Sequence, residues 1–511
     1  MSHHDDTPDP RRWWALGVLC LSLLVISLDN TILNVALPTL ERDLGASSSQ
    51  LQWIVDSYML VFAGLLLTAG ALGDRFGRKR ALTFGLVVFG LGSALSAFAD
   101  TAETLIVTRA LMGVGGAFIM PSTLSILTAT FPARERAKAI GIWAGVSGLG
   151  IAIGPLAGGW IVENADWSWV FLVNVPIVLG ALLAGRWLVP ESLDASAPKL
   201  DLPGFALSTA GLVALVWAII EAPSSGWTSP AILAGLGLAA TMLIAFVAWE
   251  RRTPHPMIDV ALFRNRRFSA ASGAITLSFF AMFGAIYFLT QYLQLVLGFS
   301  PLEAGVRILP VAAGLVLGGP LSAKLSERIG AKVVVATGLS LIAGALMLMA
   351  QFEVDSGYGI VAGAFVLLGM GIGMAMTPAT DAVMGSLPLA KASVGSAVND
   401  ATRTTGGALG VAIMGSIMSS VYRGDMDAIG AGAAAHDSLA GALATASGLG
   451  GEAGARLALT AQEAFVSGMH TAVLVGAAIA LTGALIAALF LPAREAASAP
   501  VVTPEPVPVP A

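Results

Sequence analysis

The chain has 511 residues, 56% of them hydrophobic and 12% charged, with a formal net charge of −5 and a mean hydropathy of +0.81. A soluble domain usually carries about twice that share of charge. The apolar residues fall in blocks of about 20, long enough to cross a roughly 30 Å hydrocarbon core as a helix, and not in the ten-residue alternation of a barrel. Cys20 is the sole cysteine, which excludes an internal disulfide and a multi-thiolate metal site. No GxxxxGK[ST] phosphate loop is present, which argues against an ATP-driven pump. The fold class is therefore an all-α polytopic membrane protein.

Residues 1–13 read as a polar tail ending in basic residues, and the first apolar block, 14–37, lacks a small-residue cleavage pattern, so it reads as a retained helix. It carries Asp29, Asn30 and Asn34. An ionised acid at a helix centre costs roughly 2.5–3.5 kcal/mol on insertion scales and usually marks an ion or substrate path. Asn30 and Asn34 read either as cavity residues or as hydrogen bonds between packed helices. Span 2, 51–73, holds Asp56 and runs into Gly70-Ala-Leu-Gly-Asp74-Arg75-Phe-Gly77-Arg78-Lys79, a loop whose positive charges hold it inside. Span 3 is 81–99. Span 4, 103–125, brings Arg109, which stays charged and must find an anion. Span 5, 139–162, contains Gly148-x-Gly150-x-x-x-Gly154-Pro155-x-x-Gly158-Gly159, a small-residue face for close packing, with a proline that bends the helix. Span 6, 169–189, is introduced by Trp167-Ser-Trp169-Val-Phe171-Leu-Val-Asn174-Val-Pro176.

Spans 7 and 8 are 204–220 and 230–249, and the later ones are 268–297, 303–325, 331–351, 358–384, 393–421 and 471–492. Glu303 and Arg307 are spaced for an ion pair on one helix face. Asn399, Asp400 and Arg403 in span 13 either line a central cavity or, for the last two, neutralise each other across one turn. Residues 423–470 read as a long Ala/Gly-rich outer loop with one helical stretch near Glu463, and 493–511 as a disordered tail.

An even span count puts both termini on one side. With that side cytoplasmic, 21 of the 27 Lys and Arg fall inside, 3 outside and 3 within spans, a strong positive-inside bias. The acid-Arg-x-Gly-x-Lys core at Asp74–Lys79 recurs at Glu327–Lys332, an offset of 253 residues. Spans 1–6 (14–189) and 9–14 (268–492) therefore read as two related six-helix halves, with 190–267 as a linker holding two extra helices. Parallel repeats place a transporter's substrate site between the halves.

These motifs resemble the major facilitator superfamily, specifically its fourteen-helix drug/proton antiporters of the QacA and EmrB type, over nearly the whole chain. Leu28–Pro38 is similar to that family's first-helix signature, Gly70–Lys79 to its loop between helices 2 and 3, Arg109 with its glycines to its helix-4 motif, and Gly148–Gly159 to its antiporter motif. The resemblance implies a 6 + 2 + 6 arrangement and proton-coupled export of hydrophobic or cationic small molecules. It implies that Asp74 docks against the opposite half as a conformational gate with Gly70, Arg75, Gly77, Arg78 and Lys79; the N-terminus of span 13 is its candidate partner. It also implies a proton-transfer role for Arg109. By rise per residue, Asp29, Asp56 and Arg109 all lie roughly 8–12 Å below the outer boundary, so one charged cluster in the first half is expected, with a static salt bridge as the other reading. Protons are the expected coupling ion, with no cofactor, no metal and no nucleic-acid partner. The partners expected are the lipid bilayer and a drug-like substrate, and the working unit a monomer. A dedicated exporter of one compound and a non-transporting sensor remain the alternatives.

Overall fold

The computed structural model describes residues 11–193, 200–386, 392–430 and 432–491, and within them the regular structure is entirely helical. In chain order the helices are α1 (Arg12–Leu44), α2 (Ser48–Phe76), α3 (Arg78–Ser96), α4 (Ala102–Thr130), α5 (Ala133–Asn164), α6 (Trp169–Leu172), α7 (Asn174–Leu188), α8 (Leu202–Ser225) and α9 (Pro230–Glu250). They continue with α10 (Arg266–Gln291), α11 (Pro301–Ile329), α12 (Ala331–Met349), α13 (Tyr358–Gly385), α14 (Ala392–Ala428), α15 (Ala433–Asp437), α16 (Leu439–Leu449) and α17 (Gly451–Phe490). A π-helical turn, Tyr292–Val296, follows α10. The tail readings for residues 1–10 and 493–511 lie outside the described residues.

Among the described residues, 13 helices are long and apolar enough to cross a membrane, with α6 and α7 joined as one. The chain is a multi-pass membrane protein. The remaining expected span coincides with α3, whose first turn, Arg78-Lys79-Arg80, takes three of its 19 residues out of the apolar run.

The repeat seen in the sequence is carried into the caps. α2 opens with a capping box in which Gln50 N–H donates to Ser47 Oγ and Ser47 N–H donates to Gln50 Oε1. α11 opens with the same device from Ser300 and Glu303, 253 residues later. Each box satisfies two orphan donors of a helix start. At the other end of each helix a glycine makes the turn into the next, Gly77 at φ 115° and Gly330 at φ 87°, a backbone region in which a Cβ is strained. This is why the repeated motif keeps its glycine. Glu303 thus spends its carboxylate mainly on the cap; Arg307 sits 3.7 Å from it and 3.7 Å over the Phe299 ring.

The helices α1–α7 form one bundle and α10–α14 with α17 the other. The glycines of α5 decide how they meet. Gly150, Gly154 and Gly158 press on α1: a Cβ at Gly150 would lie 2.6 Å from Ser27 Cβ, one at Gly158 2.8 Å from Ile32, and one at Gly154 would overlap Thr31. Gly159 faces α11 instead, where a Cβ would come within 2.7 Å of Leu302 Cα, and Gly305 of α11 rests on the Pro155 carbonyl. Hydrogen bonds between the bundles gather at this end. Ser300 Oγ and Leu302 N–H donate to Glu163, and Gln294 Nε2 to Val35 O, while α15 and α16 meet the first bundle through Ser48 Oγ to Asp437 O and Ala440 N–H to Glu41. Towards the Gly77 end, Gly141, Gly145 and Gly148 of α5 meet nothing within 4 Å. Of the extra pair, α8 lies against the α2–α14 seam, where Trp53 Nε1 donates to Glu221 at 3.2 Å and Ser416 Oγ to Ile219 O at 2.7 Å, and α9 packs on α8.

The stretch 423–470, expected to be a loop, is mostly helical. α14 runs on to Ala428, α15 and α16 follow, and α17 already begins at Gly451. Alanine is the strongest helix former, so an Ala/Gly-rich stretch reads as loop by its glycines and folds as helix by its alanines. At about 1.5 Å per residue the 40 residues of α17 span roughly twice a hydrocarbon core, so its first turns stand outside one.

Overpacking a tight interface usually costs about 1–3 kcal/mol. Gly154→Leu should therefore lower the thermal midpoint of the purified protein, whereas Gly148→Leu, facing open space, should leave it unchanged or raise it.

Candidate functional site

Asp29 of α1 and Arg109 of α4 form an ion pair, Nη1 to Oδ2 at 2.5 Å, with side-chain exposures of 0% and 2%. Three further contacts hold the guanidinium. Its Nε donates to the Ile54 carbonyl of α2 at 3.2 Å, its carbon lies 4.5 Å over the Tyr58 ring, and Met112 Sδ is 3.8 Å from Nη1. The planar fork of arginine suits this: one edge meets the carboxylate while the face stacks on an aromatic ring. The second carboxylate oxygen, Asp29 Oδ1, accepts from Asn174 Nδ2 of α7 at 3.2 Å. Asn174 also donates to Ser93 Oγ of α3 at 3.1 Å, and Ser93 donates to the Phe171 carbonyl at 2.7 Å. Five helices of one bundle, α1, α2, α3, α4 and α7, thus converge on one charge pair. Of these partners, Asn174 stood out in the sequence as part of the Trp167–Pro176 run, with no role of its own; Tyr58 and Ser93 gave no signal.

Asp56 does not join this cluster, which corrects the three-residue expectation. Ile54 and Tyr58 occupy the face of α2 that meets Arg109, and Asp56 lies about 200° round the helix from each. It shares its face with Gln52 and Met59, which pack on Gly415 and Gly407 of α14. Asp56 is fully buried, and neither carboxylate oxygen has a hydrogen-bond partner among the described residues. Equal depth placed these residues correctly along the membrane normal and said nothing of azimuth. A further buried acid, Glu41, was missed: one oxygen accepts from Ala440 N–H at 3.3 Å and the other has no partner among the described residues.

The expected gate residues lie at a helix corner and not in an extended loop: Gly70, Asp74 and Arg75 end α2, Gly77 makes the turn, and Arg78 and Lys79 open α3. Asp74 accepts from Arg78 Nε at 2.6 Å, one turn on. Lys79 ties the loop to the end of α7, its N–H donating to Glu191 and its Nζ to Arg186 O. Gly70 faces Pro121 of α4, and Arg75 lies over the Phe76 ring. Asp74 thus has a local partner in Arg78; residues 387–391, where its expected docking partner on the other half begins, lie outside the described residues. Asn34 donates to Asn30 O within its own helix at 3.0 Å, while Asn30 is half-buried. In the second bundle Asp400 and Arg403 are 3.9 Å apart, Arg403 lies over Phe279 at 5.5 Å, and Asn399 Oδ1 is buried without a partner among the described residues.

A paired charge inside one bundle, glycine-packed seams and a repeated loop are features of a transporter architecture. The sequence profile of the Major Facilitator Superfamily matches residues 19–411. The chain belongs to this superfamily. It is 38% identical to the multidrug efflux pump LfrA of Mycolicibacterium smegmatis, over 93% of this chain and 95% of that protein. It is 35% identical to the tetracenomycin C resistance and export protein of Streptomyces glaucescens, over 98% of this chain and 95% of that one. The fold is also that of a bacterial homologue of the human lysosomal transporter Spinster, solved in an inward-facing and occupied conformation. The TM-score is 0.69 at 18% identity, covering 95% of this chain and 98% of that one.

Removing one partner of a buried ion pair typically costs about 3–5 kcal/mol, because the other charge is left uncompensated. Arg109→Gln should therefore destabilise the purified protein strongly, and adding Asp29→Asn should recover part of the loss. A strictly additive double variant in thermal unfolding would mean the two groups do not act as a pair.

Proposed function

We propose that this chain is a proton-coupled antiporter that exports hydrophobic or cationic drug-like molecules across the cytoplasmic membrane by alternating access. The observation that carries the reading is the Asp29–Arg109 pair, sealed within one bundle. A structural ion pair is a poor investment in an apolar interior, whereas a carboxylate that trades its arginine for a proton has a use there. The relatives' names support export, and they include both a multidrug pump and an exporter named for one compound. A dedicated exporter is accordingly the second reading.

With the basic loops inside, fourteen spans bring both ends of the chain to the cytoplasmic side. The bundles then meet at their outer ends, through Gly159, Gly305 and Glu163, and part towards the cytoplasm. This is the arrangement in which a cytoplasmic substrate reaches the cavity between them. Asp400, Arg403 and Asn399 line the second-bundle wall of that cavity, and Asn30 the first. Asp56, fully buried on the face of α2 that meets α14, is the second candidate acid for proton coupling. The chain works as a monomer, with the proton as its driving ion.

In everted vesicles with a respiration-driven proton gradient, adding lipophilic cations should partly collapse the gradient when the protein is intact. Asp29→Asn should abolish that response when vesicles are compared at matched amounts of folded protein. Full activity in the variant would remove Asp29 from coupling, and silence of the intact protein across a broad panel would favour the dedicated exporter.

A further inference from the structure

The Asp29 carboxylate is held at both ends, and the two holders differ in kind. Oδ2 meets the permanent charge of Arg109, whereas Oδ1 meets only the amide of Asn174. Oδ1 is therefore the oxygen at which a proton arrives with no guanidinium in the way. Asn174 is fully buried and used on one side only. Its nitrogen donates to Asp29 Oδ1 and Ser93 Oγ, and its oxygen has no partner among the described residues. An amide seated so that both hydrogens are used and the oxygen is idle is a pure donor, and a pure donor fits an ionised acid. Ser93 holds that seating. Its own hydrogen goes to the Phe171 carbonyl, so a lone pair is what it offers the amide.

We infer that Asn174, oriented by Ser93, is a positioning residue for proton exchange at Asp29. It stabilises the ionised acid through Oδ1 and sets how readily that oxygen takes up a proton. A proton on Oδ1 turns an acceptor into a donor and sets it against the amide hydrogen. Loading Asp29 therefore also loosens the contact of α1 with α7 and α3, on the side of the acid away from Arg109. The charged and titratable groups facing Asp29 are Arg109 from α4 and Tyr58 from α2, while α3 and α7 contribute the uncharged Ser93 and Asn174. The inference rests on proton exchange at Asp29, as proposed above.

The test follows the Asp29 carboxylic-acid band by infrared titration of the purified full-length protein, with Asp29→Asn identifying the band. Asn174→Leu removes the donor, and its midpoint should move to higher pH by about one unit, a tenfold gain in proton affinity. Ser93→Ala only frees the amide to turn, and should move the midpoint the same way by less. Ser93→Ala also keeps the test alive should Asn174→Leu fail to fold, as judged by gel filtration. A midpoint unmoved in the folded variants overturns the role of Asn174 and leaves the proton reading standing. A wild-type protein with no titrating Asp29 band overturns both. A purely structural amide would lower stability without shifting the midpoint.

Discussion

A carboxylate and a guanidinium that have both lost water must satisfy each other, and the first bundle is arranged round that requirement. Asp29 and Arg109 come from different helices and close on each other with almost no exposure. Holding them needs a carbonyl from α2, a ring from the same helix one turn on, and an amide and a hydroxyl from α7 and α3. Moving any one of these five helices by an ångström would lengthen a hydrogen bond already at its working distance. The pair therefore ties five helices of the first bundle to one another.

The seams between bundles obey the opposite rule. Where Gly159 meets Leu302 and Gly305 meets the Pro155 carbonyl, backbone touches backbone with no side chain between. At these points the surfaces hold by dispersion and close fit, with the hydrogen bonds to Glu163 at their outer edge. Paired charge lies inside the first bundle, and glycine lines the contact of α5 with α11 between the bundles.

How far the sequence could be read follows from which physical quantity each feature depends on. A charge in an apolar run must be paired, so Asp29 and Arg109 were legible, and counting residues along each helix gave their common depth. Asp56 has the same depth, and only the rotation of α2 about its axis sets it apart. That rotation depends on which face α4 and α14 choose, which no local pattern records. Asn174 was indistinguishable from Asn30 and Asn34, since three amides in apolar runs look alike until one is seated against an acid. The repeat of loop and cap was legible because it depends on local chemistry: a serine before a helix and a glycine after it act alike in both halves. The helices within 423–470 were not, because alanine and glycine pull the same stretch towards opposite readings.

The placement of α8 has a mechanical consequence. Its Glu221 holds Trp53 of one bundle, and its Ile219 carbonyl holds Ser416 of the other, at nearly the same height. If the bundles rock about the plane between them, this flank is tethered on both sides and has little travel. The opposite flank, where α5 packs on α11, has no bridging helix among the described residues and would take up the larger arc. The swing is then lopsided, like a door hung on one side, with α8 near the hinge line and the glycine face of α5 at the free edge.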